Sequence, residues 1–243
     1  MDASGLSTYS ALPLFPLAAV LWYLDRRPRQ SMGLVSGRLR DYGLAILYPI
    51  CVIGALAAIS VASGAADASK TDWSKACLNT AIIAVSTFVV AILTEEGFFR
   101  GWLWAALENT GMRPDRILIA TSVAFALWHL SAVTLQTGFN PPRAQVPVFM
   151  VNAAVVGASW GLLRRISGSV IVSSASHGLW NGLAYALFGF GARVGALGVR
   201  NTGVFGPEVG VLGLVLNVVY VAILWRRVRT REDAAPGPLS QAR

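Results

Sequence analysis

The sequence predicts an all-α membrane protein, a polytopic bundle of about seven transmembrane helices with its site near the bilayer midplane. The 243 residues are 55% hydrophobic and only 13% charged, about half the charged share of a soluble domain. Several apolar runs approach or exceed the ~20 residues that a helix needs to cross a bilayer. This composition is a poor match to a soluble enzyme, a disordered chain, a disulfide-rich secreted domain or a coiled coil.

Seven apolar segments are the predicted spans, namely residues 9–24, 42–63, 79–107, 117–136, 146–163, 169–188 and 209–225. The first is short and carries Pro13 and Pro16, whereas the third is long and contains three charged residues. A shorter third span would end at Leu93 and expose those charges. We expect one intramembrane domain over residues 1–231, with its motif core at about 79–188, and a flexible cytoplasmic tail at 232–243.

Basic residues beside the spans predict the orientation. Arginines cluster after the first, fifth and seventh spans, at Arg26, Arg27, Arg29, Arg38, Arg40, Arg164, Arg165, Arg226, Arg227, Arg229 and Arg231. Because basic residues are retained in the cytoplasm, the pattern predicts an N-terminus outside and a C-terminus in the cytoplasm. Anchoring at the lipid bilayer explains the net charge of +8 without a nucleic-acid partner. The 18 arginines beside two lysines are typical of a GC-rich bacterial genome, so the expected location is a bacterial inner membrane.

Three charged residues, Glu95, Glu96 and Arg100, lie inside the predicted third span with apolar sequence on both sides. A charge in hydrocarbon is costly and requires a partner or a function. Glu96 and Arg100 are four residues apart with the acid first, the favourable order for a helical ion pair. Such a pair would lock helix packing, but one arginine does not easily neutralise two buried acids. Glu95 therefore needs another explanation.

The two histidines of the chain, His129 and His177, fall near the middle of the fourth and sixth spans, at about the depth predicted for Glu95. Three ionisable groups on three helices at one depth predict a shared site, although a single intramembrane histidine is commonly just a buried hydrogen-bonding residue. Asn152 and Asn217 are interpreted as helix-packing residues.

Polar residues recur every four positions along one face of the sixth span, at Ser169, Ser173, His177, Asn181 and Tyr185. Either the serines bond backbone carbonyls, or the stripe lines a wet cavity that opens toward the cytoplasm. Glycines at 178 and 182 predict close helix packing on another face.

This set of residues fits the hydrolysis of a peptide bond. A carboxylate facing a histidine can deprotonate a water, and an apolar environment makes the carboxylate a stronger base. Glu95 and His129 would activate the water, while His177 and Asn181, one helical turn apart, would donate hydrogen bonds to the oxyanion. Arg100 would hold Glu96.

The residues resemble the three ordered motifs of the CPBP (CAAX protease and bacteriocin-processing) intramembrane proteases, relatives of the Rce-type prenyl-protein endopeptidase. The motifs are Glu95-Glu96-x-x-x-Arg100, then Phe125-x-x-x-His129, then His177-x-x-x-Asn181. The resemblance implies an all-helical membrane fold and a glutamate-dependent protease acting on a membrane-associated protein or peptide. It carries over the catalytic set Glu95, Glu96, Arg100, His129, His177 and Asn181.

No cofactor is expected, with zinc as the alternative. Glu95, His129 and His177 plus a water would make a tetrahedral zinc site. Against it, the chain has no His-Glu-x-x-His helix, and Asn181 has a clearer use as an oxyanion donor than beside zinc. Two other functions stay open: a proton-coupled transporter, which also uses carboxylates and histidines at mid-membrane, and a non-catalytic immunity or binding protein. The sequence does not select a substrate or an oligomeric state.

Overall fold

The computed structural model describes residues 11–135, 139–191 and 193–233. They form mostly helices. The α-helices are α1 Leu14–Asp25, α2 Leu39–Ala62, α3 Trp73–Leu93, α4 Trp104–Asn109, α5 Pro114–Thr134, α6 Val146–Ser167, α7 Val170–Leu187, α8 Thr202–Phe205 and α9 Val211–Asp233. A π-helix, Gly97–Leu103, precedes α4, and 3-10 turns occupy Ala68–Lys70 and Arg143–Gln145. Strands β1 Gly189–Phe190 and β2 Arg193–Val194 pair in an antiparallel hairpin.

The described residues contain five helices that are long and apolar enough to cross a membrane, so the prediction of seven spans is wrong in number. The five spans are Leu39–Ala62, Trp73–Asn109, Pro114–Thr134, Arg143–Ser167 and Val211–Thr230. The predicted first span fails because α1 has 12 residues, or roughly 18 Å of helix, which is too short to cross. The predicted sixth span, α7, is not among the five because its polar residues lower its hydropathy. Several of these polar residues are buried against other helices.

Helix α7 lies at the centre of the bundle, where α2, α3 and α6 pack against it. Its two interior glycines permit the closest of these contacts. A Cβ at Gly178 would lie 2.5 Å from the Ala84 carbonyl oxygen, and one at Gly182 would lie 2.6 Å from that of Thr80. The predicted close packing of this glycine face is confirmed, and it brings the α7 side chains next to α3.

The helix predicted to run unbroken through the charged residues is interrupted. α3 ends at Leu93, and Thr94 leaves the helical region with φ −119° and ψ −99°. Gly97 is needed at this break, because a Cβ there would lie 2.2 Å from the Ile92 carbonyl oxygen. The chain then continues as the π-helix. A π-helical segment within a longer helix is frequently found at a functional site.

The arginine-rich helix ends lie together at one end of the bundle. Asp115, at the start of α5, forms ion pairs of 2.8 Å with both Arg165 of α6 and Arg229 of α9. Helix α9 continues through Asp233 and so includes residues 232 and 233 of the predicted tail, and residues 234–243 lie outside the described part of the chain. The start of the predicted first span, residues 9 and 10, also lies outside it.

Candidate active site

Glu96 and Arg100 form the predicted ion pair. Arg100 Nη1 lies 3.1 Å from Glu96 Oε1, and both side chains are fully buried. The Arg100 guanidinium also donates from Nη2 to the Gly157 carbonyl oxygen at 2.7 Å and lies over the Phe125 ring, 4.4 Å from its centroid. Helix α6 can approach the Arg100 guanidinium this closely because residue 157 is a glycine. A Cβ at this position would lie 3.0 Å from Arg100 Nη2.

His177 lies between the two glutamates. Its Nδ1 is 3.3 Å from Glu96 Oε1, the same oxygen that binds Arg100, and its Nε2 is 3.6 Å from Glu95 Oε2. The imidazole also stacks on the Trp160 indole, with ring centroids 3.8 Å apart and planes inclined by 15°. These contacts fix the orientation of the ring, so Glu96 positions His177 in addition to neutralising Arg100.

His129 lies on α5 across the site. Its Nδ1 donates to the Phe125 carbonyl oxygen at 2.9 Å. A carbonyl can only accept, so this bond places the proton of a neutral imidazole on Nδ1 and leaves Nε2 as an acceptor. The structure does not pair Glu95 directly with His129, because the close histidine partner of Glu95 is His177.

Glu95, His129, His177 and Asn181 all line one cavity of about 930 Å³. Asn181 follows His177 by one turn of α7, and within the described residues its side-chain amide makes no hydrogen bond. The four side chains predicted to perform the chemistry therefore share one surface, while Glu96 and Arg100 lie beneath it and do not line it.

The cavity extends to the end of the bundle that carries Lys70, Lys75 and Arg193, opposite the arginine-rich end. The predicted opening toward the arginine-rich end is therefore wrong. Ser169 and Ser173, which suggested it, are fully buried and do not line the cavity. Their hydroxyls donate to the carbonyl oxygens of Val35 and Val170. The serines thus satisfy backbone groups, which is the other interpretation of the stripe.

Residues 77–183 match the family described as type II CAAX prenyl endopeptidase Rce1-like. This stretch is an Rce1-like domain of the CPBP family. The resemblance seen in the three motifs is confirmed, and all six predicted site residues lie within the matched range. The family implies protease activity and a protein or peptide substrate. No curated protein and no solved structure matches the chain.

The proposed zinc ligands of the Rce1-like domain do not form a metal site. Within the described residues, no three histidine, cysteine, aspartate or glutamate side chains come together as a metal ion requires. Glu95 and His177 are neighbours, whereas Glu95 and His129 make no direct contact. Nδ1 of His129 is bonded to a carbonyl and Nδ1 of His177 to Glu96, which is how metal-bound histidines are commonly held, so these two bonds do not argue against zinc. The expectation that no cofactor is needed stays a prediction.

Two residues of the cavity were missed by the sequence analysis. One is Trp160, which stacks on His177. Its sequence pattern is that of an ordinary core aromatic residue, so nothing in the sequence marks it as part of the site. The other is Glu208, which lies beyond the Rce1-like domain, between α8 and α9, and lines the cavity. Loss of hydration in the cavity wall raises the pKa of Glu208 to about 7, and the negative charge of Glu95 adds to this effect. The sequence signal for Glu208 is a single acidic residue immediately before an apolar span.

Proposed function

We propose that this protein is an intramembrane endopeptidase that hydrolyses a peptide bond of a membrane-associated protein or peptide without a metal cofactor. One observation carries the proposal: Glu95, His129, His177 and Asn181 line one cavity above a fully buried Glu96–Arg100 pair. The buried pair keeps the arginine away from Glu95, which leaves that carboxylate free to act as a base.

Glu95 is the proposed general base. It extends from the break between α3 and the π-helix into the cavity, where its side chain is 15% exposed. A water between Glu95 and Nε2 of His129 would give its proton to the carboxylate as its oxygen attacks the carbonyl carbon of the substrate. Glu95 then returns the proton to the leaving nitrogen as the carbon–nitrogen bond breaks.

Asn181 and His177 are the proposed oxyanion donors. They lie four residues apart on α7, so both point at the same region of the cavity. Because Nδ1 of His177 faces the Glu96 carboxylate, His177 donates from Nε2 only when both ring nitrogens carry a proton, whereas the Asn181 amide donates in either case. Donors held in place before the reaction stabilise the developing negative charge better than water does, because they need no reorganisation.

The arrangement of α3 and α5 supports a substrate that arrives from the bilayer. α3 packs along α7 and α5 packs along α6, whereas α3 and α5 are not packed along each other. The cavity lies between them, with Ile83 and Thr87 of α3 on one side and Trp128 of α5 on the other. A hydrophobic segment could enter through this gap, so we propose an integral protein of a bacterial inner membrane with a membrane-embedded substrate.

A comparison of membrane proteomes tests the function. Strains carrying the wild-type protein and Glu95→Gln are compared for new N-terminal and C-terminal peptides by mass spectrometry. Termini that appear in the wild type and vanish in Glu95→Gln support the endopeptidase. Identical termini in both strains argue against it, and proton-linked uptake that depends on Glu95 would instead favour a transporter. If a partner binds equally to both proteins without cleavage, a non-catalytic immunity or binding protein is favoured.

A further inference from the structure

Glu208 is a cavity acid that the proposed hydrolysis does not use. Its half-buried side chain lies beside the Tyr185 hydroxyl. No basic side chain in the described part of the chain forms an ion pair with it. Acidic side chains in protein interiors are normally paired with a cation or a full set of donors, so this carboxyl group lacks its usual partner.

The segment that carries Glu208 is firmly held. The Asn152 side-chain amide, buried in α6, donates to the carbonyl oxygens of Pro207 and Glu208 at 2.8 and 3.0 Å. Two bonds from one amide to adjacent carbonyls fix the backbone at the position from which the carboxyl group reaches the cavity.

A chain of buried polar groups holds Asn152 in turn. Its Oδ1 accepts from Asn217 Nδ2 at 2.9 Å, and Asn217 Oδ1 accepts from the Tyr48 hydroxyl at 2.7 Å. Asn152, Asn217 and Tyr48 are each at most 1% exposed. Three helices, α2, α6 and α9, therefore cooperate to hold the loop. Buried polar networks of this kind fix a conformation when every member is bonded.

Aromatic rings lie next to the carboxyl group. Tyr185, which lies beside Glu208, packs on Phe190 with centroids 4.7 Å apart, and Phe190 stacks on Phe139 at 5.1 Å. All three rings line the cavity. Aromatic faces attract ammonium and guanidinium groups, so a carboxylate beside such rings is suited to bind a cation.

The charges beside the two acids point the same way, although Lys70, Lys75 and Arg193 also line the cavity. Glu95 and Glu208 are close enough for their negative charges to repel each other. Arg100, the cation of the catalytic region, is fully buried and already bound to Glu96 and a carbonyl. A positive group on the ligand would relieve the repulsion between the two acids.

We propose that Glu208 is a specificity-determining residue that binds the basic side chain, lysine or arginine, of the substrate. The inference rests on the proposed endopeptidase function and adds the substrate class: a membrane-associated peptide with a basic residue near the scissile bond. Because Glu208 lines the same cavity as Glu95, one bound peptide can place its basic side chain at Glu208 and its reacting carbonyl at Glu95.

Peptide binding tests the inference without requiring hydrolysis. The probes are alanine- and leucine-rich peptides with one lysine at successive positions, each matched by a peptide with norleucine there. Binding is measured to full-length Glu95→Gln protein in nanodiscs, with and without Glu208→Gln. At one or two positions lysine should bind about tenfold more tightly than norleucine, and Glu208→Gln should remove this preference while norleucine binding stays unchanged. Glu108→Gln, an exposed acid on α4, is the matched control and should keep the preference.

Equal binding of lysine and norleucine at every position, or a preference that survives Glu208→Gln, would overturn the inference. If Glu208→Gln does not fold, peptides that carry glutamate at the lysine position provide a second test. Because Glu208 repels another acid, these peptides should bind the protein with Glu208 intact more weakly than the lysine and norleucine peptides do. The same peptides given to the wild type separate the two proposals. A lysine preference in binding without cleavage contradicts the endopeptidase alone, and cleavage without a lysine preference contradicts the role of Glu208 alone.

Discussion

The carboxylate of Glu96 and the imidazole of His177 lie 3.3 Å apart, although 81 residues separate them in the chain. The same carboxylate oxygen accepts from Arg100 at 3.1 Å. Glu96 therefore links the charge of a buried arginine to the orientation of a histidine in the cavity. Loss of its charge should affect both the folding of the protein and the alignment of the site.

Glu96→Gln should lower the stability of the protein by about 3 kcal/mol or more, because it leaves the Arg100 guanidinium buried without its counter-ion. The measurement is the fraction folded against denaturant in detergent micelles, together with accumulation in the membrane. Glu108→Gln provides the control, since it removes the same charge from an exposed position. Equal stabilities of the two variants would show that the ion pair contributes little.

Much of the site could be predicted from the sequence because its residues recur at helical spacing in apolar surroundings. Glu96 and Arg100 are four apart, as are His177 and Asn181, and both separations place a pair on one helix face. The break at Thr94 was not predictable from hydropathy, since apolar residues continue on both sides. It depends on Gly97, which avoids a clash with a carbonyl of the preceding turn.

Other features depend on contacts between distant segments. Glu208 reaches the cavity because Asn152 binds carbonyls 55 and 56 residues away, and no local pattern encodes that contact. The number of spans was overestimated because the sequence analysis counted α1, which has only 12 residues, and α7, whose polar residues lower its hydropathy. Ser169 and Ser173 show the converse error, since their spacing suggested a wet face although both are buried.

The lysine preference in binding should depend on pH, because the pKa of Glu208 is about 7. Lysine stays protonated between about pH 6 and about pH 8, whereas Glu208 gains its negative charge over this range. The ratio of lysine to norleucine affinity should therefore rise with pH over this range, and Glu208→Gln should abolish the rise. Tyr185 and Glu95 face the carboxyl group, and the other charged or titratable groups that line the same cavity are His129, His177, Asp72, Lys70, Lys75 and Arg193. Changes in the charge of these groups that affect both peptides equally cancel in the ratio of lysine to norleucine affinity. A ratio that does not change with pH would contradict an ionisable Glu208 in the binding site.

The cavity should open on the side of the membrane away from the cytoplasm, given the orientation predicted by the arginines. With the free Cys51 and Cys77 replaced by serine, a cysteine at Lys70, which is 84% exposed, should react with an impermeant maleimide added outside intact cells. A cysteine at Ser36, beside the arginine-rich end, should react only after the membrane is opened. The reverse pattern of labelling would invert the orientation.

Hydrolysis should need no bound metal, since within the described residues Glu95, His129 and His177 do not come together as a metal ion requires. Zinc, cobalt and iron are measured per chain in purified protein, and peptide cleavage is assayed before and after prolonged chelation. We expect less than one metal ion per chain and an unchanged rate. One metal ion per chain, with activity that is lost on chelation and restored by adding the metal back, would contradict this prediction and identify Glu95, His129 and His177 as metal ligands.

The central claim is that Glu95 is the base of a peptide hydrolysis, and the cleavage rate of purified Glu95→Gln tests it most directly. Wild type, Glu95→Gln and the Glu108→Gln control are reconstituted in proteoliposomes with a substrate identified from the membrane proteome. Glu95→Gln should cleave at least about a hundredfold more slowly than wild type, while its unfolding midpoint and substrate affinity stay close to those of the control. A Glu95→Gln protein that retains most of the wild-type rate would contradict the account.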